Sequence, residues 1–313
     1  MSNHTDKAHQ RTVETLKGGD PKYADVYGQT VRHGVVDLSS GHRYEGCTYS
    51  DCLINAIGVE DIDLAMCDLR GATIHVENAS NINIVGNSWT GEYQHTYGER
   101  PPRNEQIGGR AAITTSGAVG DVLMARNTYH NVQRAFLAIV NHADIIDITH
   151  FCEVFNGSTR MTSAAGYNAS GECVLYHGSG PGTKHTARNI QSIRCRWNQW
   201  NPQLAKQLRY DWPFDPSSYQ RSALHFHDVN ADGVLIERPQ LGLTDVIRFV
   251  ASKNYDSIEG ASPLEGISNI DIVKPIPGQG FVSAYGAVSL DPARLGGMTV
   301  MESTSSSFYE ATK

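Results

Sequence analysis

The run His225-Phe226-His227-Asp228 sets two imidazoles two residues apart, with a carboxylate beside them. In an extended chain that spacing puts both rings on one face. Imidazoles ionise near neutrality, so the pair can donate or accept a proton under ordinary conditions. A second run, Glu172-Cys173-Val174-Leu175-Tyr176-His177, opens with a carboxylate and closes with a third histidine. Between them, segment 197–221 holds Asp211, Asp215 and Arg221 together with Trp200, Tyr210, Trp212 and Tyr219. Trp197 and Phe214 belong to the same stretch, which carries three of the four tryptophans. Flat amphipathic rings suit sugar faces, and the guanidinium fork suits carboxylate or sulfate groups. Arg110 and Arg134 stand at the starts of two further apolar runs. The expected catalytic set is therefore Asp211, Asp215, Arg221, His225, His227, Asp228, Glu172 and His177. The expected substrate-binding set is Arg110, Arg134, Trp200, Tyr210, Trp212 and Tyr219.

Residues so far apart in sequence need a repeating scaffold to bring them together. A short apolar-x-apolar unit preceded by Asx or Gly begins at Ile62-Asp63-Leu64. It returns at Ile82-Asn83-Ile84, Val122-Leu123-Met124, Ile146-Asp147-Ile148, Val234-Leu235-Ile236, Ile270-Asp271-Ile272 and Met298-Thr299-Val300, with a looser copy at 190–193. The intervals fit a coil of twenty-odd residues that sometimes carries an insertion, which is the periodicity of a solenoid. A second apolar run follows each unit, as in 111–113, 135–139, 173–176, 223–226, 246–250 and 281–284. No helix-period segment lies between them, so the rungs are expected to be purely β, with two strands each. Segments 88–109, 156–171 and 197–221 each fall between the first and second run of a rung. All three are thus expected to leave the solenoid at one corner and to wall one lateral groove.

Composition narrows the classes. The chain has 313 residues, 40% hydrophobic and 19% charged, with 30 glycines and a formal net charge of −7. An acidic chain lacks the basic footprint that general nucleic-acid binding requires, and no apolar stretch approaches the length of a membrane helix. The partners expected are accordingly a polysaccharide or oligosaccharide, with neither nucleic acid nor membrane. The polar first nineteen residues show no secretory signal, pointing to a cytoplasmic protein or a virion component. The six cysteines sit in apolar settings and are expected to be reduced. No cofactor motif is present, and no Cys/His cluster has zinc spacing. The run Asp228-Val229-Asn230-Ala231-Asp232-Gly233 matches the first half of a calcium loop, but Pro239 stands where the bidentate glutamate is needed. An Asx-rich turn is the better account, with a calcium ion at Asp228, Asn230, Asp232 and Glu237 as the alternative. Met66 to Ile74 also matches two pentads of a pentapeptide repeat. Val13 and Leu16 lie three apart ahead of Gly18-Gly19, as in a helix that caps the open end of a solenoid.

Coil length, Asx or Gly before short apolar strands, and insertions between strands together resemble the pectin-lyase-like right-handed parallel β-helix superfamily. That superfamily includes pectate lyases, polygalacturonases, polysaccharide epimerases and phage tailspikes. The resemblance covers residues 35–300 and implies an all-β, right-handed parallel β-helix with an N-terminal capping helix and long loops on one lateral face. The organisation that follows is an N-terminal segment and capping helix over 1–34, one β-helix domain over 35–301, and a tail over 302–313. The family motifs for catalysis are absent: Arg100-Pro101-Pro102-Arg103, His177-Gly178-Ser179-Gly180 and Asp291-Pro292-Ala293 each depart from the patterns of these families. The resemblance implies a carbohydrate-active enzyme, lyase or glycoside hydrolase, acting on an acidic polysaccharide. Its alternatives are a glycan-binding tailspike or receptor-binding module and a small-molecule enzyme on the same scaffold; the protein would be a monomer or a homotrimer.

Overall fold

The computed structural model describes residues 3–17, 24–90, 111–130, 132, 134–140, 142–156, 172–178, 184–198, 221–242, 245–251 and 264–302. Every strand pairing among them is parallel, and the strands join into one continuous sheet that coils on itself. The protein is an all-β parallel β-helix.

Each of the first seven rungs has three strands, not the expected two. Ladder A stacks Ala24–Tyr27, His42–Glu45, Glu60–Ala65, 80–85, 119–125, Ile145–Phe151, Thr186–Ile193, Asn230–Glu237 and Ile267–Val273. Ladder B stacks 30–32, 48–50, Asp68–Arg70, Ser88–Thr90, Thr128–His130, Val154–Asn156 and Arg196–Asn198, and ends in a bridge from Arg196 to Gln240. Ladder C stacks 34–37, 52–57, 73–77, 111–116, Arg134–Ile139, Glu172–His177, Arg221–His227, Asp245–Ala251, Phe281–Gly286 and Val300–Glu302. We number the rungs by their ladder A strands, from rung 1 at 24–27 to rung 9 at 267–273.

This arrangement corrects three details of the repeat. Val300 pairs with Val282 in ladder C, so Met298-Thr299-Val300 is not a first strand. Ile148, not Ile146, stands in register with Val122, because ladder A of rung 6 begins two residues later in the unit than its sequence pattern implies. The pentapeptide-like stretch is the turn and ladder B strand of rung 3. From rung 2 to rung 4 the uninterrupted repeat is 20 residues, as from Arg43 to Asp63 and from Asp63 to Asn83.

Local chemistry explains why the chain turns where it does. Ahead of each ladder A core strand, Asp61, Asn81, Asp121, Asp147, Asn189 and Asn269 stack with φ between 51 and 58°. Asn and Asp tolerate this left-handed region because their short side chains bond locally. Asn81 donates to Asp61 and Asn189 to Asp147, each at 2.5 Å, so successive corners are tied together.

Inside, equivalent residues form columns. Along ladder B the rings of Trp89, Tyr129, Phe155 and Trp197 stack at centroid distances of 5.0 to 5.2 Å. Trp197 therefore belongs to the core, 3% exposed, and is not a sugar platform. Tyr176, Phe226 and Phe249 make a second stack in ladder C. At the corner between ladders A and B a polar column replaces the rings. Asn87 receives the Cys67 N–H, and Asn127 receives the Asn87 N–H. Glu153, fully buried, accepts from Asn127, from the Tyr129 hydroxyl at 2.8 Å and from His150 Nδ1 at 2.7 Å. His150 Nε2 meets the Tyr176 hydroxyl at 3.1 Å. Burial holds both tyrosine hydroxyls protonated, pushing them well above their usual range.

Helix α1, Asn3–Leu16, does not cross the open end of the solenoid. It lies along the outside of ladder A, parallel to the coil axis. Its buried face is Thr5, Ala8, Thr12 and Thr15, with Leu16 partly buried against the same part of the sheet and Val13 half-buried, and the four small residues seat it closely there. Beneath it, Val85, Leu123, Ala125, Phe151 and Ile193 form an apolar stripe on the outer side of ladder A. Burying that stripe against the helix is the physical reason for the change of place. Arg11 ties the helix to Asn81, Asn83 and Asp121. At its two ends, Thr5 donates to Glu237 of rung 8 and Arg43 of rung 2 donates to the Thr15 carbonyl. No helix among the described residues is long and apolar enough to cross a membrane.

No disulfide joins any of the six cysteines, and all but Cys152 are buried. Alkylation of the denatured, unreduced protein should therefore modify six sites by intact mass; fewer sites without prior oxidation would contradict the structure. Truncating the middle of the ladder B stack, Phe155→Ala, is expected to cost about 3 to 5 kcal/mol in chemical denaturation, the range for a large buried ring.

Candidate functional site

Alternation along ladder C decides which residues leave the core. Leu224, Phe226, Ile247 and Phe249 point inward. His225, His227 and Arg248 therefore face the outer side. Two outer rows result, set by the register of the ladder. One runs His75, Thr114, Leu137, Leu175, His225, Arg248 and Ser283; the other runs Glu77, Ser116, Ile139, His177, His227, Val250 and Tyr285.

The rows are polar at rungs 6 to 8. His177 and His227 are in-register neighbours, their rings stacked at 5.1 Å with Nδ1 to Nδ1 at 3.2 Å. Asp228 Oδ2 lies 3.5 Å from the other nitrogen of His227, Nε2. His225 tilts against His227 at 5.1 Å and is buried, as are its neighbour Arg248 and Asp245. His177 and His227 remain half-buried, so they are the members of the cluster that a ligand can reach. Gly178 makes the geometry fit: a Cβ there would stand 2.1 Å from the Asp228 carbonyl oxygen. At rung 3 a second polar pair faces the same side, where His75 meets Thr114 at 2.9 Å and Glu77 at 3.2 Å. Buried apolar residues Ala111, Leu137 and Leu175, with Ile139 against them, lie between the two polar ends.

The contacts order the protons. If the carboxylate of Asp228 receives a proton, it is the one on His227 Nε2. His227 Nδ1 is then an acceptor and takes the His177 Nδ1 hydrogen. With that order of protons, Nε2 is the unprotonated nitrogen of His177. A carboxylate that orients one imidazole against another thus produces a base two groups away.

Of the expected site residues, the structure gathers His177, His225, His227 and Asp228. Arg221 begins the same ladder C strand, opposite Asp245, and Glu172 begins the strand below. Arg134 opens ladder C of rung 5, in register with Ala111, two rungs from His227. Asp211, Asp215, Trp200, Tyr210, Trp212, Tyr219 and Arg110 lie outside the described residues. The ends of segments 91–110, 157–171 and 199–220 are in place: each leaves ladder B and returns on ladder C in rungs 4, 6 and 7. The shared corner expected from sequence is present.

At the calcium-like run, Asn230 Oδ1 accepts the Gly266 N–H and Asp232 Oδ1 accepts from Ser268 and Asn269. These bonds hold the Asp232 carboxyl below its usual range. Glu237 accepts from Thr5. The run turns the chain from ladder C to ladder A, and among the described residues no group of three or more His, Cys, Asp and Glu is arranged to hold a metal. Sequence reasoning missed Arg248 and Asp245. Setting Phe249 beneath Phe226 would have put Arg248 beside His225.

No protein-family model matches the chain, and no curated protein matches it. Among solved structures, the catalytic domain of a GH87 alpha-1,3-glucanase in complex with tetrasaccharides aligns at 10% identity and a TM-score of 0.18. The alignment covers 91% of this chain and 56% of the glucanase chain, so this protein spans little more than half of that domain. A superposition that loose assigns neither family nor activity, and the parallel β-helix rests on the ladders themselves.

The order of protons is open to direct measurement. Long-range proton–nitrogen spectra of the neutral rings are expected to show His227 protonated on Nε2 and His177 on Nδ1. Asp228→Asn should weaken the His227 preference; an Nδ1-protonated His227 in the wild type would refute the assignment.

Proposed function

We propose that the outer face of ladder C at rungs 6 to 8 is the active groove of a carbohydrate-active enzyme, a lyase acting on an acidic polysaccharide. One observation carries the reading: His227, hydrogen-bonded to His177 and with the Asp228 carboxylate 3.5 Å from its other nitrogen, lies on an accessible face beside a buried arginine. In β-elimination the proton next to a uronate carboxylate is removed by a base, the carbon–oxygen bond to the next sugar breaks, and a double bond remains. His177 Nε2 is the base. The departing oxygen takes up a proton, for which His227 and Asp211 are the candidates. The proton becomes acidic enough only when a cation neutralises the carboxylate. Arg221, at the strand start, is assigned that contact, while Arg248 lends positive potential from beneath. Trp200, Tyr210, Trp212 and Tyr219 are assigned to sugar faces, and Arg110 and Arg134 to further carboxylates along the polymer.

The test is incubation with a panel of acidic polysaccharides, following new reducing ends together with ultraviolet absorbance from an unsaturated product. Both signals together support elimination. Reducing ends alone would turn the reading to hydrolysis by two carboxylates from Asp211, Asp215, Glu172 and Asp228; binding without either signal would leave a glycan-binding module. On a polymer that is cleaved, His177→Ala is expected to lower turnover by at least about 10²-fold, the range for a lost acid or base. Folding should persist, because the side chain lies outside the core. Unchanged turnover would place the base elsewhere.

A further inference from the structure

The corner between ladders A and B, the one that ladder C does not share, carries a second feature. Each rung turns there on a residue with φ near +50 to +70°. Rungs 1, 2 and 4 use Gly28, Gly46 and Gly86, the residue that adopts this conformation without strain, and rung 3 uses Met66 at φ 51°. Rungs 5 to 9 use Arg126, Cys152, Arg194, Arg238 and Lys274, at φ of 54, 54, 54, 50 and 53°. Long side chains are disfavoured in that region, and in rungs 5, 7, 8 and 9 the residue that takes it up is basic. Backbone bonds keep the positions in one line: Arg126 N–H to the Phe151 carbonyl, Cys152 to Ile193, Arg194 to Glu237 and Arg238 to Val273. Burial pushes the Cys152 thiol up, and Arg194 and Arg126 pull against it electrostatically.

These charges are little neutralised. Among the described residues, the one ion pair to Arg126, Arg194, Arg238 or Lys274 is a long contact of 3.9 Å from Arg238 to Glu237, whose carboxylate also accepts from Thr5. In a chain of net charge −7 this is a concentrated basic edge. Its charges stand one rung apart, about 4.8 Å, over rungs 7 to 9, with Arg126 two rungs before Arg194. A linear polymer with one anionic group per sugar ring has charges on the same scale. Single-stranded nucleic acid is a poorer match, since its binding sites interleave aromatic platforms, and no aromatic residue stands at these turn positions.

We propose that the A–B edge of rungs 5 to 9 is a second binding site, separate from the ladder C groove, for a linear acidic polysaccharide lying along the solenoid axis. The site stands on the turn geometry and charge of this edge and does not depend on the catalytic reading of the groove. It would hold an anionic chain by salt-sensitive contacts with arginine forks and the Lys274 ammonium.

The experiment measures binding of fluorescently labelled polygalacturonate and of a sulfated glycosaminoglycan by anisotropy, with neutral dextran, single-stranded DNA and anionic vesicles alongside. The full-length protein is compared with Arg126→Gly/Arg194→Gly/Arg238→Gly/Lys274→Gly. The wild type is expected to bind an acidic glycan and to lose affinity as salt rises, while the variant binds at least 10-fold more weakly. Because glycine relieves the backbone, the variant should melt no lower than the wild type, a signature that a purely structural role for these residues cannot give. Arg126→Asn/Lys274→Asn, at the two most exposed positions, gives a milder form of the same loss if the fourfold variant folds poorly. Glycan affinity unchanged in both variants overturns the proposal, as does binding of DNA or vesicles in preference to acidic glycans, or no binding by the wild type. His177→Ala should leave this affinity intact even where it abolishes cleavage, so failure of the groove reading and failure of the edge reading give different results.

Discussion

Parallel in-register stacking at about 4.8 Å per rung is the constraint on which everything else in this protein depends. It turns the interior into columns, where a side chain must suit the one above and the one below it. An aromatic residue in a column therefore calls for another, as in the series from Trp89 to Trp197. Such contacts add about 0.5 to 1.5 kcal/mol per pair beyond the area they bury. At the corner between ladders A and B, buried polar residues form a column of their own. Asn87, Asn127 and Glu153 satisfy one another and the backbone, so no rung has to bury an isolated amide or carboxylate.

The same stacking shapes the outer face, where no packing demand selects the residue type. His177 and His227 meet because they occupy one position in consecutive rungs. Their contact at 3.2 Å is a product of register, and Asp228 at the following turn gives it direction. Chemistry in this fold is thus assembled along the axis, one rung at a time. Residues 50 apart in sequence become neighbours without any local motif.

That is also why the fold was more legible in the sequence than the site. Ladder C alternates strongly enough that the apolar runs at 111–113, 135–139, 173–176, 223–226, 246–250 and 281–284 all fall within its strands. The corner shared by the long insertions followed from their place between runs. Ladder B escaped notice because its strands are three residues long with a single inward side chain, too short for a period to show. Trp197 was misassigned for that reason: alone it looks like part of a surface loop, and only the rings of Phe155 and Tyr129 reveal its column. Helix α1 misled through composition, since Thr5, Ala8, Thr12 and Thr15 do not form an apolar face, yet their small size is what close seating on a sheet selects. Arg248 was hidden inside an apolar strand, where one charge reads as an interruption until register places it outside.

The helix along ladder A alters how the chain can come to its final state. A bare solenoid is held by nearest-neighbour contacts and can grow from any point, rung upon rung. Here the first turn of α1 bonds to Glu237, 232 residues further on, while its last turn bonds to Arg43. The N-terminus therefore cannot complete its contacts during synthesis until rung 8 has emerged. Once it has, the helix joins early and late rungs into one cooperative unit, so that fraying from either end must also release a strap along the middle.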